Sequence, residues 1–183
     1  MSESLAHQDR RALTTIARAA IARRLHLEAA EPPLAGPALR EKRGAFVTLR
    51  RREDGELRGC VGFVEARQPL HEAVERAAQL AAFEDGRFEP VQPKELDGLV
   101  LDVSVLSPLR PIAPEDVEVG VHGLLIRYAG HSGLLLPLVP LQFGWDREAF
   151  LAHTCHKAGL PKDAWKQPGA VLLAFTAELV EEE

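Results

Sequence analysis

Ala45-Phe46-Val47-Thr48-Leu49 and Leu57-Arg58-Gly59-Cys60-Val61-Gly62-Phe63 are the two runs whose reading decides the fold. Charged residues and Asp54-Gly55 separate them, and Asp-Gly between extended apolar runs predicts a β-hairpin. Strand parity puts Leu57, Gly59, Val61 and Phe63 on one face, the more apolar and so the core-facing one. Arg58, Cys60 and Gly62 take the other face. Arg58 and Cys60 then project together with Cα atoms ~7 Å apart, beside a glycine that leaves room.

Outward from the hairpin, helices and further hairpins follow. Leu13, Ile16, Ala17, Ala20, Ile21 and Leu25 recur at helical spacing and predict a helix over 5–28. Residues 31–37, rich in proline, end it as an irregular connector within the same domain. Leu70, Ala73, Val74, Ala77, Leu80 and Ala81 form a stripe, with Pro69 at the first turn of a helix over 69–82. Residues 83–90 break that helix, and the β-branched run 99–106 is a strand with Asp102 and Ser104 on one face.

The proline-rich passage 108–114 reads as a loop, and 123–128 and 133–137 flank a second hairpin whose tip carries His131. Asp146 is a good N-cap for a helix that Gly159 and Pro161 close. Residues 170–180 alternate as one closing strand. Antiparallel hairpins and helices without a regular βαβ alternation indicate α+β, a single domain over 1–183.

The 183 residues suffice for a substantial core. A net charge of −5 leaves no basic footprint for nucleic acid. No apolar run approaches the ~20 residues that cross a bilayer, and the polar N-terminus is no signal peptide. Two cysteines 95 positions apart, with no export signal, predict reduced thiols in the cytoplasm.

Cys60 is the first candidate for chemistry. Glycines on either side allow a ligand near the sulfur, and Arg58 favours the thiolate, which is the nucleophile. The plain alternative is a small hydrophobe in a strand. His122, at the start of a strand, is the candidate base. Asp85 and Arg87 flank Gly86 in a loop, where they can pair with each other or bind a ligand. Cys155 falls on a core stripe with Leu151 and Ala158. His153 and His156 share a helix face, but two histidines do not make a zinc site. Phosphate-cradling, dinucleotide and Gly-x-Ser-x-Gly signatures are absent, as is Cys-x-x-Cys, so no cofactor is expected.

Leu57-Arg58-Gly59-Cys60-Val61-Gly62 resembles the Leu-Arg-Gly-Cys-Ile-Gly signature of the AMMECR1 domain family. The likeness continues through Phe83-Glu84-Asp85-Gly86-Arg87-Phe88, Ser104-Val105-Leu106-Ser107-Pro108, Gly120-Val121-His122-Gly123-Leu124, Gly144-Trp145-Asp146 and Cys155-His156-Lys157-Ala158-Gly159-Leu160. Bacterial and archaeal members are grouped as protein A of the AmmeMemoRadiSam system. The resemblance implies an α+β fold, an antiparallel sheet flanked by helices in a larger and a smaller lobe, with the cysteine signature near the cleft between them. Where relatives commonly read Leu-Pro-Gln/Glu-Val-Ala-x-Glu-x-Gly-Trp, this chain reads Leu136-Pro137-Leu138-Val139-Pro140-Leu141-Gln142-Phe143-Gly144-Trp145. Gln142 replaces a carboxylate and cannot exchange a proton near neutral pH, although it can orient a ligand.

Two readings result. In the first, Cys60 is the nucleophile of an acyl or related group-transfer or hydrolytic enzyme acting on a small molecule or a modified protein. Arg58 and His122 are then catalytic, and Gly59, Gly62, Asp85, Arg87, Gln142 and Trp145 bind substrate. In the second, the chain is a non-catalytic binding or scaffold module acting with Memo-like and radical-SAM proteins. A metal held by Cys60 and His122 has only two ligands.

Overall fold

The structure is a computed structural model describing residues 5–32 and 36–182. The chain divides into two compact units, Met1–Leu106 with Glu178–Glu183, and Ser107–Ala177.

The apolar stripe that begins at Leu13 makes helix α1 (His7–Arg24), which ends earlier than the periodicity predicts because His26 turns left-handed at φ +58°. Of the proline-rich connector, 33–35 lie outside the described residues, and a single-turn helix α2 (Pro37–Arg40) follows. The predicted hairpin forms from β1 (Ala45–Arg51) and β2 (Leu57–Phe63), antiparallel, with Gly55 at φ +72° in the turn. Helix α3 (Leu70–Phe83) begins just after Pro69 as predicted, and a six-residue 3-10 segment, Pro93–Gly98, leads into β3 (Leu99–Leu106).

In the second unit the chain runs through β4 (Arg110–Pro111), β5 (Gly123–Tyr128), β6 (His131–Leu135), α4 (Val139–Phe143), α5 (Arg147–Lys157) and β7 (Val171–Phe175). It then supplies β8 (Ala177–Glu181) to the first sheet. The two four-stranded sheets have the orders β2-β1-β3-β8 and β4-β7-β5-β6. The α+β class read from the sequence is the observed one.

The first unit is held by one apolar layer. Leu13, Ala17, Ala20 and Ile21 of α1 are fully buried, as are Leu70, Ala73, Val74 and Ala77 of α3. They meet Val47 and Leu49 of β1 and Leu101 and Val103 of β3, the inward residues of alternating strands. Alanine at so many contacts lets the helices lie close to each other and to the sheet. Arg18 fastens the margin: it donates to both carboxylate oxygens of Glu182 (2.5 and 2.7 Å) and to the carbonyls of Leu96 and Leu99. In the second unit, Phe150 and Leu151 of α5 pack with Leu124 and Ala174, and Cys155 packs with Ile126 and Ala164.

Four details correct the sequence reading. The strand predicted over 170–180 is two strands in two sheets. Thr176 is the break, because its N–H donates to Ser107 Oγ (2.8 Å) and its carbonyl accepts from the Ser107 N–H (2.9 Å). The second hairpin is tighter than predicted: Ala129 and Gly130, both at positive φ, make a two-residue turn, so His131 already pairs with Tyr128. The run 138–143, assigned no element from the sequence, forms α4, with Pro140 in its first turn. Loop 108–114 contains the edge strand β4, where Pro111 needs no ladder donor.

At Gly59 α3 lies directly against the sheet. A Cβ there would lie 2.2 Å from the Ala81 carbonyl oxygen on α3. Gly59→Ala is expected to destabilise the protein by about 1–3 kcal/mol, read as a lower urea midpoint at unchanged slope. Gly86→Ala, where nothing lies within 4 Å of the new methyl, should shift it by no more than ~0.5 kcal/mol.

Candidate functional site

Cys60 lies on β2, an edge strand of the first sheet, and is half-buried. An edge residue presents a backbone N–H or C=O with no strand to receive it. At Cys60 the turn after α3 supplies both partners. Asp85 Oδ2 accepts the Cys60 N–H at 2.9 Å, and Arg87 Nη2 donates to the Cys60 carbonyl at 3.3 Å. Asp85 and Arg87 also form a two-pronged ion pair, Nε to Oδ1 at 2.9 Å and Nη2 to Oδ2 at 2.7 Å. The pairing read from the sequence as one option for these two residues is therefore present, and it closes on the cysteine backbone like a substitute strand.

The electrostatics follow from those bonds. The Arg87 guanidinium, with the Cys60 and Arg87 N–H groups, holds the Asp85 carboxyl far below the usual carboxylate range against the opposing effect of burial. Arg87 is raised in turn, chiefly by its bond to Asp85 and in smaller part by the field of Cys60.

The sulfur has its own partner. Thr48 stands directly opposite Cys60 across the β1–β2 ladder, and its hydroxyl donates to Cys60 Sγ at 3.3 Å. Asp102 of β3 is opposite Thr48 on the other side, so Cys60, Thr48 and Asp102 form one row across three strands. Burial pushes the Asp102 carboxyl above its ordinary value, opposed by the Arg50 guanidinium at 3.6 Å.

The glycines beside Cys60 are accounted for by packing. Gly59 faces α3, as described. At Gly62 a Cβ would come within 2.4 Å of both the Ala45 carbonyl oxygen and the Phe46 ring, so an aromatic side chain fills the space beside the glycine.

Strict alternation fails at Arg58. The register passes from Leu49↔Gly59 to Arg50↔Leu57, so Arg58 is the extra residue of a bulge, which re-aims its side chain. Its guanidinium pairs with Glu95 at 3.1 Å, and Nη1 is buried with no hydrogen-bond partner among the described residues. Burial works against the charge of Glu95, but the Gln92 N–H and Arg58 hold its carboxyl below the ordinary value. The cation bonded to the Cys60 backbone is thus Arg87.

The remaining residues singled out belong to the second unit. His122 is half-buried, and its Nδ1 accepts the Glu118 N–H at 3.0 Å. Gln142 is exposed on α4. Trp145 stacks on Phe143 (ring centroids 4.9 Å apart) and on the exposed His153 (3.7 Å, rings nearly parallel). Cys155 is fully buried and burial pushes its thiol up, as its core stripe predicts. Among the described residues no three His, Cys, Asp or Glu side chains are grouped to hold a metal, and no helix is long and apolar enough to cross a membrane.

Thr48 and Glu95 escaped the sequence reading. Thr48 was within reach, because a hairpin folded about Asp54 sets it opposite Cys60. Glu95, 37 positions from Arg58, carries no local signal.

The fold and this site define an α+β protein of two units, one of which presents a cysteine fixed on an edge strand by an Asp–Arg pair. The AMMECR1 family's sequence model matches residues 14–180, and the chain belongs to that family. A protein of Thermococcus gammatolerans is 50% identical over 163 residues, covering 84% of this chain and 80% of its own. Protein MK0488 of Methanopyrus kandleri is 42% identical over 196 aligned positions, covering 100% of this chain and 93% of its own. The crystal structure of the uncharacterized protein PH0010 from Pyrococcus horikoshii superposes with a TM-score of 0.83 at 45% identity, covering 94% of this chain and 91% of that one.

Asp85→Asn tests the clamp. Because the folded Asp85 carboxyl is depressed, it contributes stability above the unfolded value of about 3.9, and that contribution is lost as pH falls below it. Arg87 is 57% exposed, so solvent screening reduces the contribution to ~1 kcal/mol. The variant should be less stable than wild type by that amount at pH 7. The two should converge as urea midpoints are followed from pH 5 down to pH 2.

Proposed function

We propose that Cys60 is the nucleophile of an acyl or related group transfer on a small molecule or a modified protein side chain. The observation that carries this reading is the threefold fixation of a half-buried cysteine. Asp85 holds its N–H, Arg87 its carbonyl, and the Thr48 hydroxyl meets its sulfur. A hydrogen-bond donor at sulfur and a nearby cation are the surroundings in which cysteine nucleophiles work. The sulfur would attack an acyl carbon to form a thioester, and the leaving alcohol, amine or thiol would depart with the cysteine proton. Water or a second acceptor would then take the acyl group and return the proton to sulfur. A free thiol of this kind suits the reducing cytoplasm.

The second reading, a non-catalytic module acting beside Memo-like and radical-SAM proteins, draws support from a different place. Leu138, Leu141 and Phe143, in and beside α4, are exposed. Cys60→Ser discriminates: it abolishes the first function and leaves the second intact.

Cys155 provides an internal control for the thiol. Iodoacetamide at neutral pH is expected to alkylate Cys60 at least about tenfold faster than the fully buried Cys155, and faster than glutathione under the same conditions. Thr48→Val should slow Cys60 labelling several-fold. A wild-type rate no greater than that of glutathione overturns the nucleophile reading.

A further inference from the structure

The second unit carries a surface that its own packing does not use. Leu138 and Leu141 are 53% and 55% exposed, Phe143 is 65% exposed and Val121 47%. Leu138 and Leu141, three apart, share a side of α4, and the Leu141 side chain lies about 3 Å from where a Cβ on Gly120 would stand, which puts the turn that carries Val121 against α4, with Phe143 at the helix end. Large apolar side chains scattered singly over a surface need no explanation, but a cluster on one short helix and its neighbouring turn marks an interaction site. Such a cluster costs solubility unless something covers it.

The border of the patch states what kind of surface can cover it. Glu118 belongs to the adjoining turn, where its N–H donates to His122 and its carbonyl accepts from Val121. Glu115 is tied to the start of α5 by Arg147, whose guanidinium donates to the Glu115 carbonyl at 2.6 Å. Asp116 is its neighbour, and Asp146 and Glu148 open α5 just beyond Phe143. All five of these residues are exposed, and within 115–118 and 146–148 Arg147 is the one basic residue. A second copy of this chain would bring acid against acid across a closing apolar contact, and an anionic membrane leaflet would be repelled in the same way.

We propose that this face docks a different protein through a segment with leucine- or phenylalanine-type anchors bordered by lysine or arginine. The apolar anchors would cover Leu138, Leu141 and Phe143 and supply the affinity, while the basic border would pair with the acidic rim, raising the association rate and fixing orientation. Trp145, stacked behind Phe143, stiffens that ring against rotation, so less side-chain entropy is lost on docking. The proposal is independent of the chemistry assigned to Cys60.

The probe is an amphipathic helical peptide of leucine and lysine, titrated into the isotope-labelled full chain and followed by amide NMR shifts. Its counterpart with glutamate for lysine serves as control. The lysine peptide is expected to shift amides of 118–122 and 138–148, to bind more weakly as salt rises, and to lose at least about tenfold in affinity to the Leu141→Ser/Phe143→Ser double variant. Both positions are exposed, so that variant keeps its fold, and its unchanged Cys60 alkylation rate separates this surface from the thiol. Glu118→Lys/Glu148→Lys should weaken the lysine peptide and strengthen the glutamate one. Equal binding of the two peptides, shifts confined to other residues, or a wild-type dimer in sedimentation that the double variant dissolves would each overturn the proposal.

Discussion

The first unit's candidate chemistry depends on one approach distance, that of α3 to β2 at Gly59. With no Cβ at that position the helix backbone settles directly on the edge strand. The turn that leaves the helix therefore emerges level with Cys60, the next residue. Asp85 and Arg87 need only one turn of chain to reach its N–H and carbonyl. Two ordinary problems are solved together. An edge strand would otherwise offer unpaired groups to other chains, and an ion pair at the surface would otherwise be worth little. Joined, they form a small closed network in which every bond has a charged partner.

The contrast between the two cysteines shows how much position decides. Cys155 sits on a helix stripe among Ile126, Ala158 and Ala164, where low polarity disfavours the charged sulfur. Cys60 sits on a sheet face whose cross-strand row is polar, with a hydroxyl at hydrogen-bond distance and a carboxyl one strand further on. The same side chain is a space-filler in one unit and an addressable group in the other. Nothing in the residue distinguishes them; the neighbours do.

Where local rules governed, the sequence was easy to read. The Asp54-Gly55 hairpin, the α3 stripe and the Asp146 cap, whose carboxylate accepts the Ala149 N–H at 2.8 Å, follow from period and turn chemistry. Long-range events were harder to see. The bulge that sends Arg58 to Glu95 arises from a register shift, and parity alone cannot detect it. The division of 170–180 at Thr176 depends on Ser107, 69 positions away, taking up both of its backbone groups. The flanking glycines were read as access for a ligand, yet their neighbours are the Ala81 backbone and the Phe46 ring. Absence of a side chain says that something is close, without saying whether it is substrate or protein.

That lesson bears on α4. By composition Leu138 to Phe143 is a proline-interrupted apolar run, which usually goes to the core. Here Pro140 alone of the helix is buried, because the proline in the first turn fixes the direction of a single helical turn and Gly144, at φ +64°, ends it at once. So short a helix can bury one face only, and the side chains left over point to solvent. Gln142, exposed on the same helix, brings no charge to it, while the carboxylate residues 115, 116, 118, 146 and 148 are exposed beyond it. A neutral, apolar centre inside a charged border is the arrangement by which protein surfaces combine affinity with selectivity, since water is excluded at the centre and partners are sorted at the edge.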